Sequence, residues 1–484
     1  MKDLSLIEII DLIKSWKTTS DEVFKYFLNR IEKYDWIINS YNFVNTNWLS
    51  TLWNDSVLAW APIWVKDIFC ENWVPTTCAS KMLENFVPPY DATVIKNLKN
   101  AWFSSLWKLN MDEFAMWSTT ESSYTKKTLN PWGNNRIPWG SSGWSAASVA
   151  AWLCPASLWT DTWGSIRQPA SMCNVVWFKP SYGRNSRYGV IPMASSLDCP
   201  WTLTKTVRDA GLLYEIMNWW DELENTSLDT KDIINPKIWE TKDLKWVKVW
   251  VPKEYFEEGL DAWVKEVINN AVEKLKELWA EIKEISLPMT KYAVATYYIL
   301  MPAEVSTNLW RLDWLRYGHV SDKMYGSMDE FYENNRWEWF WDEAQRRIIL
   351  WSYVLSAWFY DAYYKKAGQI RTLIMQDFAK AFEEVDVIVS PASPNVAWKI
   401  WEKIDDPVKM YLSDAYTIPA SLAWLPWISV PAWFAKSEDA EKEELPVWLQ
   451  ILAKQFDDQK VLEVAHVFEQ ATWYGKINPK WFED

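Results

Sequence analysis

Glycine is nearly missing from this chain: 12 of 484 residues, where an ordinary protein carries about 7%, or about 34. Histidine is scarcer still. Only His319 and His466 are present, so a Ser-His-Asp triad would have to draw on one of them, and neither stands in a loop that looks catalytic. His319, in RYGHV, reads as a surface or supporting residue, and His466 falls on the helix-like stretch DQKVLEVAHVFEQAT. The five cysteines (Cys70, Cys78, Cys154, Cys173, Cys199) include no CxxC pair. They read as buried free thiols rather than as a metal or disulfide framework, and no metal site is expected. Basic excess is absent too. With a net charge of −14 the chain lacks the footprint needed to hold nucleic acid by itself. No apolar run approaches eighteen residues, and the acidic, amphipathic start MKDLSLIEIIDLIK lacks a basic region followed by an apolar block. The expectation is a soluble, cytoplasmic protein. No P-loop or other glycine-rich phosphate motif appears, so nucleotide binding is not expected of this chain.

What is abundant is tryptophan, with 40 copies. Their positions are those of glycine. Trp279 follows the amphipathic run 261–278 and precedes AEIKEI, where a helix end wants a residue in the left-handed region. Trp16 closes the first helical run in the same way, just before Thr19 and Glu22, which make a capping-box start. Trp64, Trp139, Trp144, Trp152, Trp159 and Trp163 fall in tight, small-residue segments where an indole would need a large pocket and a partner. This pattern predicts that the gene was translated with a code reading UGA as Trp while the source cell reads it as Gly. A tryptophan-rich binding protein would instead put aromatics on repeated faces, and no such period is present.

The periodicity predicts helices over 4–15 and 20–34, then a region from about 55 to 220 dense in short strands, turns and helices. APIWVKDIF (61–69) reads as a strand leaving a buried lysine at its end, and 91–111 as helix, turn and strand with Trp102 at the helix stop. A strand at 247–253, a helix at 261–278 and a strand at 280–286 follow, then helical, charged sequence from about 291 to 385 and a buried strand at 385–393. The polar stretches 221–245 and 434–445 read as surface insertions, the latter as a solvated loop. Alternating strands and helices argue an α/β fold with one continuous sheet.

The chemistry concentrates in PWGSSGWSAASVAAW (138–152) and LWTDTWGSIRQPA (158–170). In the first, a tight small-residue loop runs into a helix start, where free N–H groups stabilise negative charge. In the second, Ser165 follows a turn whose N–H groups suit an oxyanion. Two such serines without a nearby histidine need another proton carrier, and Lys66, buried at a strand end, fits. On spacing alone, a plain structural loop competes with this reading, because serine-rich turns are common.

Read with Gly for Trp, these segments become PGGSSGGSAASVAAG and LGTDTGGSIRQPA, which resemble the signature of the amidase signature family. IGVKDIF is similar to that family's catalytic-lysine strand. Further segments, among them 76–94, 108–117, 178–190, 359–374 and 445–451, resemble the members of this family that act within tRNA-dependent amidotransferases. The resemblance covers nearly the whole chain. It implies a single amidase signature domain over 1–484, with N-terminal helices over 1–55, a catalytic core over about 56–484, and a large mixed central sheet flanked by helices.

The resemblance implies Ser165 as nucleophile, Ser141 as the bridging cis-serine and Lys66 as base. It puts the backbone N–H groups of Thr162, Trp163, Gly164 and Ser165 in the oxyanion hole. It also implies a clamp for free glutamine from Arg347 (α-carboxylate), Asp414 (α-amino group) and Tyr298. Where the family has Lys-Asp-Asn, this chain has Lys66-Asp67-Ile68, so the hydrogen bonding beside the base is expected to differ. The implied activity is glutamine hydrolysis, with the ammonia used to convert Glu-tRNA(Gln) to Gln-tRNA(Gln). Implied partners are a B-type and a C-type subunit in a heterotrimer; ATP and Mg are used by the partner, with no cofactor in this chain. A stand-alone amidase acting on another amide, or a catalytically dead scaffold, are the alternatives.

Overall fold

The computed structural model describes residues 1–44, 56–116, 120, 122–133, 135–162, 167–229, 231–256, 259–312, 320–323, 325–400, 402, 413–437 and 440–482. Two N-terminal helices, Leu6–Lys14 and Ser20–Ile38, each begin with a capping box, the second made by Thr19 and Glu22 as their spacing predicts. Trp16, just past the first helix, has φ +56°, and Trp279, past the helix Ala262–Glu277, has φ +73°. Both helix ends therefore take the left-handed turn that glycine serves without a Cβ penalty.

Among the described residues, ten strands form one mixed sheet: β1 (Pro62–Lys66), β2 (Ser104–Leu109), β3 (Ala156–Asp161), β4 (Val176–Lys179), β5 (Cys199–Thr204), β6 (Lys248–Pro252), β7 (Glu281–Ile285), β8 (Val387–Pro391), β9 (Trp427–Ser437) and β10 (Ala440–Ala453). Their order is β2-β1-β3-β5-β4-β9-β10-β8-β6-β7. The pairs at the two ends of the sheet are parallel and those in its middle antiparallel.

The period-2 pleat divides the sheet between two cores. Val176, Phe178, Val387 and Val389 face one core with the helices Ala262–Glu277 and Asp458–Thr472. Trp177 and Ile388 face the other, with the N-terminal helices and the helices Ala293–Leu309 and Lys366–Ala381. Both faces are thus covered.

The expected strands and helices over 61–69, 91–111, 247–286 and 385–393 are present within a few residues. The solvated loop expected over 434–445 is not. Most of that stretch belongs to β9 and β10, which pair antiparallel as far out as Ser437 and Ala440. A run of charged residues does not prevent strand pairing, because the ladder is made by backbone groups. The polar stretch 221–245 is anchored by buried Ile234, Ile238 and Leu244 around a short 3-10 turn at Pro236–Trp239. All five cysteines are buried and free. Among the described residues, no helix is long and apolar enough to cross a membrane.

Candidate active site

β1 lies between β2 and β3 and runs parallel to both, so the carboxyl ends of β1 and β3 open at the same edge of the sheet. Crevices of this kind bind ligands in open α/β sheets. Lys66 is the last residue of β1 and Thr160 stands one residue from the end of β3. Lys66 Nζ lies 3.1 Å from Ser141 Oγ and 3.3 Å from Thr160 Oγ1. All three side chains are buried.

Burial pushes the Lys66 ammonium down from the usual lysine range to about 7; Asp112, Cys78, Asp198 and Asp161 pull the other way. At that value the amine is neutral in about half the molecules near neutral pH, which is what a general base requires.

Ser141 sits in the turn that enters the helix Gly143–Ala150, and its preceding peptide bond, Gly140-Ser141, is cis. The turn closes against Pro138. A Cβ at Gly143 would stand 2.4 Å from Thr120 Cγ2 and 2.6 Å from Pro138 Cγ, so only glycine fits. Asp67, beside the base, is buried and accepts the backbone N–H of Thr77, its hydroxyl and the side-chain amide of Asn42. These bonds are made on the Asp67 side, while Ile68 is buried and supplies no polar group.

Of the expected oxyanion residues, Thr162 is described: its hydroxyl donates to Asp198 at 2.7 Å. Trp163, Gly164 and the expected nucleophile Ser165 lie outside the described residues, as does His319. His466 is buried in the helix Asp458–Thr472, where Nε2 lies 3.2 Å from the carbonyl of Trp239. Its place is structural.

The expected clamp residues come from three separate elements. Tyr298 on the helix Ala293–Leu309 donates its phenol to Asp414 at 3.0 Å, and Asp414 sits in the 3-10 turn Ser413–Tyr416. Arg347 on the helix Asp342–Val354 is buried, with one guanidinium nitrogen 4.0 Å from the Met301 sulfur. Tyr297, next to Tyr298 on the same helix, is buried. Burial raises its phenol well above the usual range, and its field includes Arg347 and Asp414 together with Asp198 and Asp161, two of the carboxylates that face Lys66. Arg347 and Asp414 thus supply a buried cation and a buried anion, the two charges that a zwitterionic amino acid needs for recognition. Thr160, Tyr297 and Asp198 were not singled out from sequence. Thr160 had a usable signal, since it lies on the strand leading to the expected oxyanion residues; the other two are far from that segment in sequence.

The sequence matches the family described as Amidase over residues 22–462. It is 46% identical over 486 residues to the A subunit of glutamyl-tRNA(Gln) amidotransferase from Methylobacillus flagellatus, covering 98% of each chain. It is 44% identical over 488 residues to the A subunit of the same enzyme from Nitrosococcus oceani, covering 99% of each. Its fold is similar to the crystal structure of the A subunit of glutamyl-tRNA(Gln) amidotransferase from Thermotoga maritima, with a TM-score of 0.82 and 37% identity over 98% of this chain and 97% of that one.

Proposed function

The chain belongs to the amidase family, and from that premise we propose that it is the A subunit of a glutamyl-tRNA(Gln) amidotransferase, hydrolysing glutamine to supply ammonia. The observation that carries the chemistry is the contact of Lys66 Nζ with Ser141 Oγ at 3.1 Å in a buried setting that lowers the lysine to about 7. Neutral Lys66 takes a proton from Ser141 as Ser141 takes one from Ser165, and the Ser165 oxygen attacks the side-chain amide carbon of glutamine. When the C–N bond breaks, the proton returns along the same path to the departing ammonia. Water then cleaves the γ-glutamyl ester by the reverse relay, giving glutamate. The N–H groups of residues 162–165 receive the oxyanion in this reading. Arg347, Asp414 and Tyr298 hold the α-carboxylate and α-amino group.

The reading treats 1–484 as a single domain with N-terminal helices over 1–55. A sheet that draws strands from residue 62 to residue 453 supports it. A B-type and a C-type subunit complete the enzyme, and ATP with Mg acts on Glu-tRNA(Gln) at the partner. The test is ammonia release from glutamine by the full chain together with those subunits, against asparagine and simple aliphatic amides. Preference for glutamine, raised by the partners, is expected. Equal turnover of all amides without partners would favour a stand-alone amidase.

A further inference from the structure

We infer that the native chain carries glycine at most positions written here as tryptophan, and three structural criteria pick out which. The first is the backbone. Among the described residues, ten tryptophans, including Trp16, Trp73, Trp102, Trp139, Trp246 and Trp279, have φ between +56° and +73°. A bulky residue there is a genuine outlier, whereas glycine enters freely. Several of these indoles are largely exposed, so no packing gain offsets the strain.

The second criterion is the indole nitrogen. Eight buried ones, among them Trp64, Trp139, Trp144, Trp159, Trp177 and Trp201, find no acceptor among the described residues. Each orphan costs about 1–3 kcal/mol against a total stability of about 5–15 kcal/mol, so a fold cannot carry eight. The third is crowding. The rings of Trp177 and Trp427, on neighbouring strands, have centroids 3.6 Å apart at 73°, inside the roughly 4.5–7 Å of an edge-to-face pair.

At the active site the same replacement is disabling. The centroid of the Trp159 ring lies 3.9 Å from Lys66 Nζ, and Trp139 stands two residues before Ser141. Trp132 behaves differently: its indole donates to the Cys173 carbonyl at 3.0 Å, and it is tryptophan in the native chain.

Peptide sequencing by mass spectrometry of the protein from its own cells is the test. Glycine at 139, 144, 246 and 279 with tryptophan at 132 is expected. Tryptophan at all five overturns the inference. A second measurement compares two recombinant full-length chains, one as written and one with glycine at positions meeting any of the three criteria. The glycine form is expected to be soluble and to release ammonia. A soluble, equally active chain as written would also overturn the inference.

A separate observation concerns Asp198, and it rests on the function proposed above. Its Oδ1 accepts the Thr162 hydroxyl at 2.7 Å, and its Oδ2 accepts the backbone N–H groups of Met193 and Ala194 at 2.8 and 2.9 Å. The carboxylate is buried. We propose that Asp198 is a positioning residue, which pins Thr162, and with it the start of the oxyanion turn, to the 193–194 backbone. Three charge-assisted bonds on one buried carboxylate hold more rigidly than neutral contacts would. Arg187 and Glu304 are the charged groups in its field, and Asp198 in turn faces Lys66 alongside Asp112, Cys78 and Asp161.

The variants are Asp198→Asn, Thr162→Val and Thr162→Ser in the full-length enzyme with its partner subunits. Asp198→Asn and Thr162→Val are each expected to lower kcat about 10- to 100-fold with KM for glutamine little changed, and Thr162→Ser to restore it. Removing the Asp198 charge should also move the acid limb of kcat/KM to lower pH, because a field that favours protonated Lys66 is gone. Normal kcat in Thr162→Val, or an unmoved limb in Asp198→Asn, overturns the proposal. A parent enzyme that does not hydrolyse glutamine would overturn the proposed function instead.

Discussion

Lys66 and Ser141 meet at 3.1 Å across 75 residues of sequence, one at the end of a central strand and the other in the turn entering a helix. The pair is buried, and burial lowers the lysine to about 7. Lys66→Ala should lower glutamine hydrolysis by about 10²–10⁴-fold. Lys66→Arg should fail equally, since arginine keeps its proton at working pH. An active Arg variant would show that charge rather than proton transfer is used.

The same lowered value fixes a pH profile. Lys66 must be neutral to act, so kcat/KM should rise with pH through about 7. A profile measured from pH 5 to 9 that is flat through that range would exclude Lys66 as the base.

Stability carries the opposite sign. A lysine at about 7 in the fold and 10.5 when unfolded holds fewer protons in the native state between those values, so its burden on stability is greatest below pH 7 and fades towards 10.5. Lys66→Met should therefore stabilise the inactive protein at pH 6 by up to a few kcal/mol and by much less at pH 10. Chemical denaturation at the two pH values checks it, and an equal gain at both would contradict the burial argument.

Arg347→Ala and Asp414→Ala should each raise KM for glutamine roughly 10- to 100-fold, as each removes one buried fixed charge of the proposed clamp. Tyr298→Phe, which deletes the phenol bonded to Asp414, should have a smaller effect in the same direction. Steady-state kinetics on all three decide the assignment. Unchanged KM in both charge variants would mean that the glutamine site lies elsewhere.

Much of this was legible in the sequence, and the reasons differ by element. The Thr19-Glu22 box and the strand ending in Lys66 are local patterns, so they could be read where they stand. Trp16 and Trp279 were legible as misplaced residues, because a helix end specifies its backbone angle whatever side chain is written there. The pairing of β9 with β10 was not, because a charge run does not by itself tell a loop from a strand. Asp198 and Tyr297 could not be found either. Their roles depend on segments far apart in the chain, which no spacing encodes.

The most direct test is of Ser165 as the nucleophile that the Lys66–Ser141 pair serves. The enzyme is mixed with glutamine, quenched in acid within its first turnovers, digested and mapped by mass spectrometry. A γ-glutamyl ester on Ser165, absent in Ser165→Ala together with ammonia release, is the predicted result. An ester on Ser141, or full ammonia release by Ser165→Ala, would contradict the account.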